Sequence, residues 1–202
     1  MKDFPVVVGF LAAFIHVISG PDHLAAVTPL AIEEEKNKWK IGWWWGWGHL
    51  TGMLLIGMFL ALIKTVYPVE IFGKYSEKLV GVLLIFLGLW VLWKLYNKTR
   101  YNDKRTSQRQ NGRKGKNYAF GFGVVHGFAG ITHFLLMLPV LTFGKWQIIG
   151  YLLGFGLGTL AAMSLFAALT GWLAIKMKRY FYLIRLIAGV IAMIVGIYWI
   201  IL

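Results

Sequence analysis

Five histidines and one aspartate lie within apolar stretches of this 202-residue chain, where ionisable side chains are costly and usually functional. His16 and His23 stand in the segment HVISGPDHLAAVTP, and His126 and His133 recur at the same spacing in HGFAGITHFLLMLP. Each segment also has a glycine four residues after its first histidine and a proline six residues after its second. His49, the fifth, has no counterpart in this match.

These side chains have the chemistry of a divalent metal site. Imidazole and carboxylate ligands suit Ni²⁺, Co²⁺, Zn²⁺, Fe²⁺ and Mn²⁺, whereas Cu⁺ prefers sulfur ligands. The chain has no cysteine, which also excludes thiol–disulfide electron transfer. The candidate ligands are His16, Asp22, His23, His49, His126 and His133. Because protons compete with the metal for imidazole, we expect affinity to fall below about pH 6.5.

Each histidine also has a plainer interpretation. A buried histidine that only hydrogen-bonds to a neighbouring helix fits the same pattern, and this applies most directly to His49, since its partner in the repeat described below is Leu157. His133 could instead act as a gate or a proton carrier. The assignment of ligands therefore depends on which side chains the fold brings together.

A straight helix would keep the first pair of histidines apart. Seven residues separate His16 from His23, which is about 10.5 Å along a helix at 1.5 Å per residue. Proline removes a helical hydrogen bond and clashes with the preceding turn. We predict a break at Ser19-Gly20-Pro21, with Ser19 or Gly20 capping a new half-helix, so that both histidines and Asp22 meet. The second segment has only Gly130 at this point and Thr132 in place of the aspartate.

The elements that carry these residues are predicted to cross a membrane. The chain is 58% hydrophobic and 14% charged, with a mean hydropathy of +0.66. An apolar stretch of about 20 residues spans the bilayer as a helix. Six such stretches occur, at 4–31, 41–65, 79–97, 118–143, 147–175 and 181–202. The sequence therefore predicts an all-α membrane protein with six transmembrane helices and a broken first helix.

The six predicted helices form two similar halves. Gly42-x3-Gly46-Trp47-Gly48 matches Gly150-x3-Gly154-Phe155-Gly156, and the pair Gly81 and Gly88 matches Gly189 and Gly196. Since each half has an odd number of spans, the second half must begin from the opposite side. We predict a 3+3 inverted-topology repeat, with 1–97 as the first repeat, 98–117 as a basic linker and 118–202 as the second repeat. Secondary transporters of this kind hold substrate near the midplane.

The net charge of +13 is unevenly distributed. Most of the 21 lysines and arginines lie in the loops that one side of the membrane would share, above all in 94–117. The positive-inside rule places that loop in the cytoplasm and both termini outside, in the plasma (inner) membrane. The expected partners are lipid and a metal ion, not nucleic acid, with a homo-oligomer also possible.

The first segment, His16-x3-Gly20-x-Asp22-His23, resembles the signature of the nickel/cobalt transporter family. More narrowly, it is similar to the six-helix permeases associated with urease and hydrogenase maturation, and HGFAG at His126 resembles a segment of urease-accessory-type membrane proteins. The resemblance implies a nickel or cobalt permease rather than an enzyme. It also implies that His16, Asp22 and His23 are selectivity ligands.

Two other classes of function remain open at this stage. A small-anion or weak-acid exporter of the sulfite-exporter type could use protonated histidines and half-helix N-termini as its anion site, although the Asp22 carboxylate would repel an anion. A membrane metalloenzyme or haem protein is the other class. The chain has no HExxH motif, which zinc peptidases use.

Overall fold

The computed structural model describes residues 4–34, 37–62, 69–100, 108–129 and 142–201, and within these ranges it contains helices and no strand. The helices are α1 (Phe4–Ser19), α2 (Pro21–Glu33), α3 (Trp39–Leu62), α4 (Val69–Arg100), α5 (Gln108–Ala129), α6 (Lys145–Lys176) and α7 (Phe181–Ile201). A short 3₁₀ turn, Lys178–Tyr180, joins the last two.

Several of these helices can cross a membrane by length and composition. They are Lys78–Asn97 within α4, the whole of α6 and the whole of α7, with α1 and α2 as a fourth if the bent pair is one span. The chain is thus an α-helical membrane protein. The predicted span 118–143 extends into 130–141, outside the described residues, and the total of six spans remains a prediction.

The predicted break in the first helix is present. α1 and α2 meet at Gly20 with a bend of 73°. Gly20 is the N-cap of α2 and Pro21 is its first residue, where the missing proline N–H costs nothing. The amide of Gly20 still donates to the carbonyl of His16 at 2.9 Å. The last turn of α1 is therefore closed before the chain changes direction.

Three pairs of helices make the most extensive contacts: α1 with α6, α3 with α5, and α4 with α7. Glycines line the α4–α7 contact, where Gly81 lies against Gly196 and Gly88 against Gly189. The residue numbers run in opposite directions, so this pair is antiparallel. Small residues at such a contact let two backbones approach closely.

The other two pairs are parallel and share one arrangement. In α3, Gly48 lies against the carbonyl of Phe120 and Gly52 against that of Val124. In α6, the same arrangement places Gly154 against Val6 and Gly158 against Phe10. Both sets of contacts recur every four residues, so Gly48 is equivalent to either Gly154 or Gly158.

Helix extends into the predicted basic linker. α4 continues to Arg100 and α5 begins at Gln108, so 98–100 and 108–117 belong to helices, and 101–107 lie outside the described residues. From hydropathy alone, one apolar span was predicted to end at residue 97 and the next to begin at residue 118. Charged side chains can continue a helix into water, because that helix satisfies its own backbone hydrogen bonds.

The half-helix α2 is tied to two other helices by charge. Glu33, its last residue, accepts from Lys94 Nζ of α4 and from Arg185 Nη2 of α7, both at 2.6 Å. Arg185 is buried. The two pairs hold the end of α2 that is remote from the break.

Candidate metal site

Four histidines and one aspartate from four helices gather where α1 gives way to α2. His16 lies in the last turn of α1, while Asp22 and His23 lie in the first turn of α2. His49 comes from the middle of α3 and His126 from the last turn of α5. The sixth predicted ligand, His133, lies outside the described residues.

The carboxylate of Asp22 stands between two imidazoles. Its Oδ1 is 3.1 Å from Nδ1 of His23 and its Oδ2 is 3.2 Å from Nε2 of His126. All three side chains are buried. A carboxylate against an imidazole nitrogen fixes the orientation of the ring and raises the basicity of the opposite nitrogen. Asp22 therefore orients one ring from each half of the chain.

Ring nitrogens of three of the histidines lie close to one another. One ligand atom each of His23, His49 and His126 lie within 4.8 Å of one another. Two nitrogens bound to one tetrahedral ion at ~2.1 Å would be about 3.4 Å apart. The spacing of up to 4.8 Å is wider than this, and the residue types fit a divalent transition metal.

His16 lies beside this group. Its ring centroid is 4.9 Å from that of His23, with the planes at 82°. It does not belong to the set of three within 4.8 Å. The break at Gly20 thus brings His16, Asp22 and His23 together, as predicted, but places His49 nearer to the convergence point than His16.

Glycines allow the histidines of α3 and α5 to meet. A Cβ at Gly127 would collide with the carbonyl oxygen of His49, and one at Gly123 would collide with that of Trp45. These two glycines flank His126 on α5. Without them the two backbones could not approach closely enough for the rings of His49 and His126 to lie 5.6 Å apart.

Gly20 has a steric role that a helix break alone does not require. A Cβ at this position would lie 2.6 Å from His23 Nδ1 and 2.9 Å from Asp22 Oδ1. Its φ of −80° is available to any residue. The glycine is therefore needed for space at the site and not for its backbone conformation.

Sequence reasoning missed Trp45, which forms one wall of the site. Its indole is fully buried and stacks on His49, with centroids 5.2 Å apart and planes at 13°. It also lies 5.0 Å from His126 and 5.7 Å from His23. The available signal was its position one helical turn before His49, which ten tryptophans in the chain made hard to recognise.

Residues 5–198 match the family described as "Cytochrome C biogenesis protein transmembrane region". The chain belongs to this family. Like the apolar helices, membership of the cytochrome c biogenesis transmembrane family identifies an integral membrane protein.

This chain is similar to one bacterial and two plant proteins. The urease accessory protein UreH of Bacillus sp. (strain TB-90) is 29% identical over 172 residues, covering 81% of this chain and 74% of that protein. Chloroplast protein FOR GROWTH AND FERTILITY 2 of Arabidopsis thaliana is 29% identical over 172 residues, covering 81% of this chain but 46% of that protein. Chloroplast protein FOR GROWTH AND FERTILITY 1, from the same plant, is 38% identical over 81 residues, covering 40% of this chain and 22% of that protein. The chain spans less than half the length of the chloroplast relatives. No solved structure matches it significantly.

Proposed function

We propose that the protein is a secondary transporter for a divalent transition-metal cation, with nickel or cobalt as the expected substrate. The observation that carries this proposal is the convergence of His23, His49 and His126, with Asp22 between two of them. Zn²⁺, Fe²⁺ and Mn²⁺ remain possible substrates on ligand chemistry alone. His16 borders the site and His133 stays a predicted ligand.

The charge at the site favours a cation. Asp22 is buried at 5% exposure, and a buried carboxylate attracts a dication. One negative charge offsets only part of a divalent ion, which suits a substrate that must also be released. The name of the relative UreH, a urease accessory protein, fits a nickel-related role.

We also propose a six-span inverted repeat around this site. The symmetric glycine contacts of α4 with α7 and the shared arrangement of the two parallel pairs support it. Two-fold pairing would put the metal between the halves 1–97 and 118–202. The bias of lysine and arginine favours both termini outside and the segment around 94–117 in the cytoplasm of a plasma (inner) membrane.

Metal binding by the purified protein in detergent tests the proposal. We expect Ni²⁺ or Co²⁺ to raise the melting temperature of the wild type, and Asp22→Ala to lose most of this shift. Glu34→Gln is the matched control, since Glu34 is the partly exposed C-cap of the same half-helix, and it should keep the full shift.

Transport is tested with proteoliposomes that contain a metal-sensitive dye. Wild-type protein should admit the metal that gives the thermal shift, and Asp22→Ala should not. Absence of any shift with Ni²⁺, Co²⁺, Zn²⁺, Mn²⁺ and Fe²⁺ would refute the proposal.

A small-anion exporter is the alternative. The N-terminus of α2 opens at the site beside several histidines, a feature that can attract an anion when the rings are protonated. The Asp22 carboxylate opposes it. Metal-independent anion flux that survives Asp22→Asn would favour the exporter over the metal permease.

A further inference from the structure

Two kinds of contact surround the three converging histidines. Asp22 engages Nδ1 of His23 and Nε2 of His126. The ring of His49, in contrast, lies flat on the indole of Trp45, with the planes at 13°. His49 also comes from α3, which neither supplies the carboxylate nor takes part in the helix break.

We propose that Trp45 is the positioning residue for His49 in the metal site. The stacked indole prevents rotation of the imidazole out of its plane and so keeps one ring nitrogen directed at the point that His23 and His126 share. This inference rests on the proposed function and names a further residue of the same site.

The electronic character of the stack acts in the same direction. An imidazole that donates a lone pair to a dication becomes electron-poor, and an indole face attracts positive charge at distances of about 6 Å. The interaction should therefore strengthen when the metal binds. Because Trp45 is also close to the rings of His126 and His23, it closes this side of the site to water and restricts the number of ligands around the ion.

The structure supplies a comparison for the role of Trp45 in packing. Gly123 of α5 lies against the carbonyl of Trp45, and Gly9 of α1 lies in the same way against the carbonyl of Tyr151. Tyr151 packs on Phe155 one turn later, with centroids 6.3 Å apart and planes tilted by 32°. An aromatic pair thus lies at each of these two helix contacts, but only the pair in α3, Trp45 and His49, contains a histidine.

Co²⁺ titration of the purified protein, followed by its visible d–d absorption, tests this role. The absorption reports the number and geometry of ligands. We expect Trp45→Leu to weaken Co²⁺ binding by about 10–100-fold, the usual effect of losing a group that orients a metal ligand, and to alter the spectrum. Trp45→Phe, which keeps an aromatic face, should largely restore both. The matched control Tyr151→Leu should lower the melting temperature and leave the spectrum and affinity unchanged.

A double-variant comparison shows whether Trp45 acts through His49. In a His49→Ala background, Trp45→Leu should cause no further loss of affinity. If Trp45→Leu does not fold, Trp45→Met, which keeps most of the volume, replaces it in both experiments.

The possible failures are distinct. A wild type that gives no Co²⁺ spectrum and no thermal shift with Ni²⁺, Zn²⁺, Mn²⁺ or Fe²⁺ overturns the proposed function, and this inference with it. If the wild type binds one of those metals but not Co²⁺, the same variants are compared by calorimetry with that metal. A wild type that binds Co²⁺ alongside a folded Trp45→Leu or Trp45→Met variant with unchanged affinity and spectrum overturns the inference alone. A further loss in the His49→Ala background equal to that in the wild type also overturns it.

Discussion

Replacing Gly20 by alanine tests the geometry of the site with the smallest possible change. The new Cβ would lie 2.6 Å from His23 Nδ1 and 2.9 Å from Asp22 Oδ1. Unstrained carbon contacts begin near 3.5 Å, so the histidine ring or the carboxylate must move by about 0.5–1 Å. That movement is directed at the 3.1 Å contact between the two groups.

The expected loss falls on metal binding and not on folding. Disturbing a carboxylate that orients a metal-binding histidine usually costs about 10–100-fold in affinity, or about 1.4–2.7 kcal/mol. Alanine is compatible with the backbone at Gly20, where φ is −80°, and such a change can stabilise the fold by about 0.4–1 kcal/mol through the unfolded chain.

The assay combines isothermal titration with Co²⁺ and thermal unfolding of the metal-free protein in detergent. Gly144→Ala is the matched control, because Gly144 is the N-cap of α6 in a similar extended conformation and an added Cβ has only Gln147 Oε1 nearby, at 3.7 Å. It should bind Co²⁺ as the wild type does. Wild-type affinity in Gly20→Ala, or an equal loss in Gly144→Ala, would refute the steric argument.

Three other predictions concern the helix contacts and proton competition. Glu33→Gln should lower the free energy of unfolding by about 1–3 kcal/mol, because it weakens both ion pairs and leaves the buried Arg185 and the nearby Lys94 without their counter-charge; chemical denaturation in detergent measures this. Gly88→Val should lower the melting temperature by several degrees, since a Cβ there would lie 2.6 Å from the carbonyl oxygen of Gly189. The apparent affinity for Co²⁺ should fall between pH 7.5 and pH 5.5, because metal-bound imidazole must be deprotonated, and titration at both pH values checks this.

Controls and contrary outcomes exist for each of the three. Glu34→Gln should leave the free energy of unfolding nearly unchanged, and an equal loss there would contradict the role of the ion pairs. Gly121→Val introduces the same side chain where a Cβ meets nothing within 4 Å, and it should not shift the melting temperature. Co²⁺ affinity that does not change with pH would argue against histidine ligands.

The sequence was sufficient to predict the broken helix and part of the site. Proline after glycine in an apolar stretch has few conformations available, and the break at Gly20 followed from local chemistry. The approach of His16, Asp22 and His23 then followed from the break. The contribution of His126 rested on the repeated motif, and the structure places it 3.2 Å from Asp22.

The alignment of the helices of one half with those of the other could not be predicted from the sequence in the same way. The sequence match aligned His16 with His126. The glycine contacts recur every four residues, and the match of Phe120 with Phe10 agrees with that alignment, while the match of Phe120 with Val6 shifts it by one turn. Glycines recur so often in α3 and α6 that several alignments fit their pattern. Trp45 was missed for a related reason, since aromatic residues in membrane helices are common and only three-dimensional proximity separates one of them from the rest.

The half-helix α2 has a carboxylate at each end, and this has a mechanical consequence. Asp22 and Glu33 are separated by 11 residues, or about 16 Å at 1.5 Å per residue. Asp22 is held by imidazoles and Glu33 by Lys94 and Arg185. Because both ends of α2 are anchored in this way, a tilt of the half-helix that lengthens the contacts of Asp22 also changes those of Glu33.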